Sequence, residues 1–218
     1  MNKLISIFLF ILSSQLVFAQ QSDFDTYRIL GGSIRFYNTV SDAPNGNVID
    51  SKRLNFSASP YFGKQIKSNL MIGLRLDGSL YKRKGKLLYS SPSGESFRNF
   101  ENMRFGFSME VFARTYLNPD NKLKFYLEPH FSVGRYKSEG RTNLAITDSD
   151  ISQSVSLGVR SGLMYPLNEK FNLILNGGRM YYRSTKRTNM VTDESDKNKD
   201  FNFSYGLSTI SYGLEFKF

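Results

Sequence analysis

The end of the chain carries an unbroken alternation of apolar and polar side chains. The apolar positions are Ile210, Tyr212, Leu214, Phe216 and Phe218, and the residues between them are small or charged. A period of two residues predicts a β-strand with one apolar and one polar face. A sheet built from such strands must remove one entire face from water, which excludes most other folds.

The same alternation recurs along most of the chain. Eight strands are predicted at about 27–38, 52–62, 70–81, 102–117, 123–136, 151–163, 171–182 and 205–218. Most are roughly 10 to 13 residues long, which is about double the usual length of a strand in a soluble protein. Strands of this length can cross a membrane when they are tilted.

The connections between the strands alternate between short and long. Short turns are predicted near Ile66, Asp120 and Asn168, and long polar loops are predicted at 39–51, 82–97, 137–150 and 184–200. An even-stranded antiparallel meander of this kind is typical of transmembrane β-barrels. Bulges are expected at Pro60 and Pro129, which lack an N–H, and between Leu207 and Ile210, where the alternation slips.

The first nineteen residues have the pattern of a secretory signal peptide. A short cationic start is followed by an apolar run from Leu4 to Leu12, and Val17 and Ala19 fit a cleavage site after Ala19. We therefore predict a signal peptide at 1–19 and one β-barrel domain at 20–218. No apolar stretch is long enough for a transmembrane helix, so a membrane role requires a barrel.

Composition limits the chemistry of the chain. It contains no Cys and one His, so disulfides, thiolate metal sites and multi-histidine metal sites are not expected. We find no motif for a cofactor, and we expect none. The net charge of +10 favours an anionic membrane surface, because an exported protein is not expected to bind nucleic acid.

Two segments and the closing strand carry a family resemblance. Residues 59–63 (Ser-Pro-Tyr-Phe-Gly) and 69–74 (Asn-Leu-Met-Ile-Gly-Leu) are similar to a recurring hairpin of small outer-membrane barrels. The chain thus resembles the eight-stranded outer-membrane β-barrels of the OmpA/OmpX type, in the version common in Bacteroidetes. This implies a monomer in the outer membrane of a Gram-negative cell, with periplasmic turns and extracellular loops. It also implies an aromatic C-terminal signal for the barrel-insertion machinery, formed by Tyr212, Leu214, Phe216 and Phe218.

A soluble barrel of the lipocalin type would also alternate, with its Leu and Phe residues facing inward. Three features favour the inverted membrane version. The polar face is rich in small residues, it has few Lys and Glu residues, and the chain ends within its last strand at Phe218. We therefore predict an all-β, eight-stranded antiparallel up-and-down transmembrane barrel with a polar, filled lumen.

A polar lumen brings charged side chains into the interior, where each needs a partner. We predict a lumen charge network at similar depth on strands 3 to 6. Its members are Arg75, Asp77, Glu110, Glu128, His130 and Arg160. A salt-bridged plug is the favoured interpretation, with Glu110 opposite His130, and a narrow ion channel is the alternative.

Two further groups of residues are candidates for function. Glu128, His130 and Ser132 resemble the His-x-Ser spacing of outer-membrane lipid A deacylases, but residues two apart on a strand are too distant for a catalytic hydrogen bond. We therefore expect that the protein is not an enzyme, with a lipid A-modifying activity as the alternative.

A basic cluster is either a solvated loop or a contact for lipopolysaccharide phosphates. Its residues are Lys82, Arg83, Lys84 and Lys86, with Arg135 and Arg179 expected on the lipid face nearby.

Overall fold

A computed structural model describes residues 27–41, 48–91, 94–143, 145–205 and 211–218. The predicted signal peptide therefore lies outside the described residues. The alternating sequence forms nine antiparallel strands. They are β1 (Arg28–Ser41), β2 (Val48–Lys67), β3 (Leu70–Ser91), β4 (Gly94–Tyr116), β5 (Lys124–Thr142), β6 (Ala145–Pro166), β7 (Phe171–Asn189), β8 (Ser195–Tyr205) and β9 (Ser211–Lys217).

These strands close into a ring with eight positions. Each strand from β1 to β7 pairs with the next one along the chain, and β8 and β9 both pair with β7. Together β8 and β9 occupy the eighth position of the ring, where the sequence predicts a single strand. The expected parity slip between Leu207 and Ile210 lies outside the described residues. The pairing of β9 with β1 closes the ring, which confirms the eight-stranded antiparallel up-and-down barrel.

The end of the chain forms part of this closure. Backbone hydrogen bonds of 3.0 Å run from Arg28 N–H to Phe218 O and from Phe218 N–H to Arg28 O. The side chain of Phe218 stacks on Phe216 and lies against Phe62, with ring centroids 6.0 and 6.4 Å apart. The aromatic residues that end the chain therefore lie on the outer surface, at the end of the barrel with the short turns.

The two faces of the sheet are inverted relative to a soluble protein. Leu, Ile, Val and Phe side chains cover the outside, where Phe105, for example, is 57% exposed. Charged side chains point inward, where Glu128 and Arg114 are 0% exposed. This arrangement contradicts the soluble alternative, which requires the Leu and Phe face inside, and it confirms that the lumen is polar.

The predicted long loops are wrong over most of their length. The β3–β4 ladder runs from Leu70↔Thr115 to Ser91↔Gly94, and the β5–β6 and β7–β8 hairpins continue in the same way through 137–150 and 184–200. The loop expected at 39–51 also includes the ends of β1 and β2. Backbone pairing does not require an apolar face, so strands beyond the apolar part of the barrel lack the alternation that identifies them in the sequence.

The expected bulges at Pro60 and Pro129 are also wrong. The register is the same on both sides of each proline, because a missing N–H removes a hydrogen bond without adding a residue. A register shift occurs instead in the β6–β7 ladder. Ser161 of β6 pairs with Gly178 of β7, but the next residue, Gly162, pairs with Asn176, so β7 contains one extra residue at this point. This bulge at residue 177 reverses the inward and outward faces of β7 beyond it.

Apolar and aromatic side chains fill the lumen at the short-turn end. One buried cluster contains Ile29, Tyr61, Met71 and Phe112. A second contains Tyr116, Tyr126, Met164 and Ile174. Both clusters lie near the short turns, and the Arg114 guanidinium lies between them, over the rings of Tyr61 and Tyr126. In the described ranges, no helix has the length and apolar character needed to span a membrane.

Candidate functional site

Three arginines and three glutamates meet in the lumen, and we call this group the plug. It begins among the apolar clusters, where Arg114 contacts Tyr61 and Tyr126, and extends toward the long hairpins. Its members are Arg75 of β3, Glu110 and Arg114 of β4, Glu128 of β5, Arg160 of β6 and Glu215 of β9. Each occupies an inward position of its strand, so the alternation of the sequence places them all in the lumen. The plug is balanced in formal charge.

Glu128 lies at the centre of the plug. Its Oε1 is 2.9 Å from Nη2 of Arg75, and its Oε2 accepts hydrogen bonds of 2.8 Å from Nε and Nη2 of Arg114. Arg160 also donates to Oε1. One fully buried carboxylate thus neutralises parts of three guanidinium groups.

Glu110 forms the second centre, on the side of the long hairpins. Its Oε1 accepts a hydrogen bond from Arg75, and its Oε2 is 3.1 Å from Nη2 of Arg160. His130 lies diagonally across the β4–β5 ladder, with Nε2 3.8 Å from Oε2 of Glu110, while Ser132 is the direct partner of Glu110. Asp77 stands apart from this network, and its Oδ2 is 3.5 Å from Oγ of Ser108.

The sequence prediction missed two members of the plug. Arg114 donates to Glu215, which also accepts hydrogen bonds from the Tyr61 hydroxyl and, at 3.1 Å, from Nδ2 of Asn172. Parity alone puts Arg114 and Glu215 on the polar face, so this signal was present in the sequence. Their meeting depends on the closure of the ring, because they are 101 residues apart.

A polar cavity lies on the long-hairpin side of the plug, and we call it the cup. Its volume is about 510 Å³, and nine serines are among its lining residues. The lining also includes Arg35 of β1 and, from β7, Arg179, Tyr181 and Arg183. Arg75, Glu110 and Arg160 of the plug also line the cup, and we call this plug side its floor.

The candidate catalytic residues are not arranged as a triad. The Ser132 hydroxyl lies 2.6 Å from the Ser156 hydroxyl, and Nδ1 of His130 is 3.3 Å from the backbone oxygen of Glu128. The Glu128 carboxylate is occupied by arginines. Among the described residues, no group of three or more His, Cys, Asp or Glu side chains is placed to hold a metal ion.

The predicted basic cluster divides between the two faces of the sheet. Lys82 and Lys84 form ion pairs of 2.9 and 3.1 Å with Glu101 of β4, and Lys86 shares their outward parity. Arg83 has the opposite parity and stacks on the buried Phe100 ring, 5.3 Å from its centroid. The lysines therefore face outward and Arg83 faces inward.

The expected lipid-face position of Arg179 is wrong. Arg179 lines the cup and stacks on Tyr181, because the bulge at Gly177 reverses the faces of β7. Arg135 of β5 is exposed on the outer surface, as expected. In the ladders it pairs with Phe107 of β4 and Gln153 of β6.

Six cations lie on the outside of β3 and β5, next to the end of the apolar surface, and we call them the cationic band. They are Lys82, Lys84, Lys86, Arg135, Lys137 and Arg141. Two carboxylates lie among them. Lys82 and Lys84 donate to Glu101 and lower the pKa of its carboxyl, while Lys137 and Arg141 do the same for Glu139. The band keeps an excess of positive charge.

No protein-family model matches the sequence, and no curated protein matches it. Among solved structures, the chain is similar to neisserial surface protein A, with 18% identity, a TM-score of 0.38, and 89% of this chain and 100% of that chain covered. A major outer membrane protein from Thermus thermophilus is 10% identical, with a TM-score of 0.40 and coverage of 88% and 99%. The outer membrane protease OmpT from Escherichia coli is 12% identical, with a TM-score of 0.39 and coverage of 88% and 79%. Identities and scores this low decide nothing about the function of this chain.

Proposed function

We propose that this protein is an integral outer-membrane β-barrel with a structural or surface-interaction role and without an open channel. The observation that carries the proposal is the inversion of the sheet, with apolar side chains outside and a charged plug inside. An apolar exterior on a closed barrel suits lipid, because closure leaves no backbone group unpaired in the hydrocarbon region.

The height of the apolar surface fits a bilayer. On β3 the outward apolar positions begin at Ile72 and end at Leu80, just before the cationic band. These eight residue steps correspond to about 27 Å along the strand. At the usual tilt of barrel strands this is roughly 21 Å along the barrel axis, close to the apolar band of outer-membrane barrels.

The two ends of the barrel suggest its orientation. In outer-membrane barrels short turns face the periplasm and long connections face outward, and aromatic side chains ring both interfaces. Here Phe62, Phe171, Phe216 and Phe218 cluster on the outer surface at the short-turn end. We therefore assign this end to the periplasm, and we propose that the C-terminal strand is read there by the insertion machinery.

The proposed lipid partner is lipopolysaccharide. Its phosphates would lie next to the cationic band, where Lys86, Arg135 and four further cations outnumber Glu101 and Glu139. Lys and Arg side chains at a membrane surface attract anionic lipid headgroups. No described contact requires a second copy of the chain, and we propose a monomer.

A closed lumen and a non-enzymatic role complete the proposal. The plug spans the lumen through fully buried Arg114, Glu128 and Glu215. The Ser132 hydroxyl is engaged by Ser156 and makes no hydrogen bond with the His130 ring. These contacts favour a barrel that neither conducts nor acylates or deacylates lipid.

The test is the location and compactness of the protein in a Gram-negative host. We expect it in the outer-membrane fraction, with faster gel migration before heating than after heating, because a closed barrel resists detergent. We also expect planar bilayers that contain the folded protein to stay silent. A soluble periplasmic product would contradict the membrane proposal, and discrete conductance steps would contradict the closed lumen.

A further inference from the structure

The cup contains positive charge that the protein does not neutralise. Arg35, Arg179 and Arg183 line it, and none of them forms an ion pair with a carboxylate among the described residues. By contrast, Arg75, Arg114 and Arg160 of the plug each contact two carboxylates. The structure thus separates a neutral floor from a cationic wall.

The two arginines of β7 enclose one aromatic ring. The guanidinium carbon of Arg179 is 5.2 Å from the Tyr181 centroid, and that of Arg183 is 4.6 Å from it. Alternation on β7 brings all three side chains to the same face, so two like charges are held near one another. An anion between or beside them removes their repulsion, and guanidinium groups match phosphate oxygens with paired N–H donors.

The acidic groups of the cup do not supply this anion. Asp77 is placed near the Ser108 hydroxyl on the opposite side of the lumen, on β3 and β4. The Glu110 carboxylate is already engaged by Arg75 and Arg160. Asp200 of β8 is the ladder partner of Arg183, but the two side chains form no ion pair in the described part of the chain. A ligand or the solvent would therefore supply the counter-charge for the β7 arginines.

The rest of the wall offers hydroxyl groups. Nine serines line the cup, and each hydroxyl can both donate and accept a hydrogen bond, as the Ser132–Ser156 pair illustrates at 2.6 Å. A polyhydroxylated ligand satisfies such a wall better than a simple ion. The volume of about 510 Å³ lies within the range of small-molecule sites and accommodates a monosaccharide with a charged substituent.

We propose that the cup is a binding site for a phosphorylated sugar. The phosphate would bind at Arg179 and Arg183, and the sugar hydroxyls would face the serines of β2, β4, β5 and β6. This inference concerns the lumen and is independent of the lipopolysaccharide contact proposed for the outer surface.

A free sugar phosphate would reach the cup through the mouth at the long-hairpin end. A phosphorylated sugar carried as a lipid headgroup presents the same chemistry to Arg179 and Arg183, so the experiment distinguishes the two sources.

The experiment is calorimetric titration of the folded, detergent-solubilised barrel with glucose 6-phosphate, glucose and inorganic phosphate. We expect one saturable site that prefers glucose 6-phosphate to either component. Replacing both arginines (Arg179→Gln with Arg183→Gln) should weaken binding at least about tenfold, since two charge-assisted hydrogen-bond donors are lost. The control Arg28→Gln removes an exposed arginine at the short-turn end, outside both the cup and the cationic band, and should leave binding unchanged.

Retained heat-modifiable migration shows that each variant is folded. Absence of binding, equal binding of glucose and glucose 6-phosphate, or undiminished binding by the folded double variant would overturn the proposal. The same titration with glucose 6-phosphate, on protein in phosphatidylcholine vesicles with and without lipid A, distinguishes the two sources of the ligand. Competition by lipid A supports the site with a lipid headgroup as its ligand, and lack of competition supports it with a free sugar phosphate.

Discussion

At the scale of single residues, Glu128 has the largest influence on the lumen. It contacts Arg75, Arg114 and Arg160 from three different strands, and it is fully buried. Desolvating a carboxylate is costly, and only these close contacts offset the cost. Glu139 of the same strand also contacts two cations, Lys137 and Arg141, but these contacts lie on the outer surface.

This contrast gives a prediction for two isosteric substitutions. Glu128→Gln removes the shared negative charge from three buried arginines, so we expect a loss of about 3 to 5 kcal/mol in the free energy of unfolding. Glu139→Gln on the same strand should change it little, because water and salt screen exposed ion pairs. Urea unfolding of the barrel in detergent measures both. Similar midpoints for the two variants would mean that the plug is not desolvated.

At the scale of the strands, glycine and aromatic residues pair across the ladder. In five directly paired positions, an aromatic ring of one strand covers a glycine of its neighbour on the lumen side. These pairs are Gly31–Tyr61, Gly73–Phe112, Gly85–Phe100, Gly106–Tyr136 and Gly162–Tyr126. A Cβ atom at any of these glycines would overlap the ring. The glycines therefore make room for the aromatic residues that fill a narrow barrel.

We predict that Gly73→Val is far more harmful than Gly78→Val, although both lie on β3. A Cβ at Gly73 would lie 2.5 Å from Cζ of Phe112 and 2.6 Å from the backbone oxygen of Phe62, whereas nothing lies within 4 Å of one at Gly78. Overpacking of this kind costs roughly 1 to 3 kcal/mol. The yield of heat-modifiable barrel after refolding measures the effect, and equal yields would show that the Phe112 ring moves away at no cost.

At the scale of the whole molecule, the outer surface changes character along the barrel axis. Apolar side chains such as Leu80 and Val133 end where the cationic band begins, and the hairpins continue beyond it. A bilayer has the same order of layers, with hydrocarbon followed by anionic headgroups. This match links the position of the band to the proposed contact with lipopolysaccharide.

The band predicts a charge-dependent association with lipopolysaccharide. Replacing Lys82, Lys84 and Lys86 with Gln should weaken binding of the purified barrel to lipopolysaccharide by up to about 1 kcal/mol per lysine, and the loss should shrink at high salt. The matched control replaces Lys64, Lys122 and Lys170 with Gln at the short-turn end. If both triple variants bind equally weakly, the effect comes from net charge and the band has no special role.

The sequence by itself determined which side chains share a face, because alternation along a strand is a local property. It therefore placed Arg75, Glu110, Arg114, Glu128 and Glu215 on one polar face and predicted eight strands. It did not determine which of them meet, since Arg114 reaches Glu215 only when β9 closes the ring. The inward position of Arg179 likewise depended on the bulge at Gly177. The extended hairpins also required the tertiary structure, because backbone ladders beyond the apolar surface persist without any pattern in the side chains.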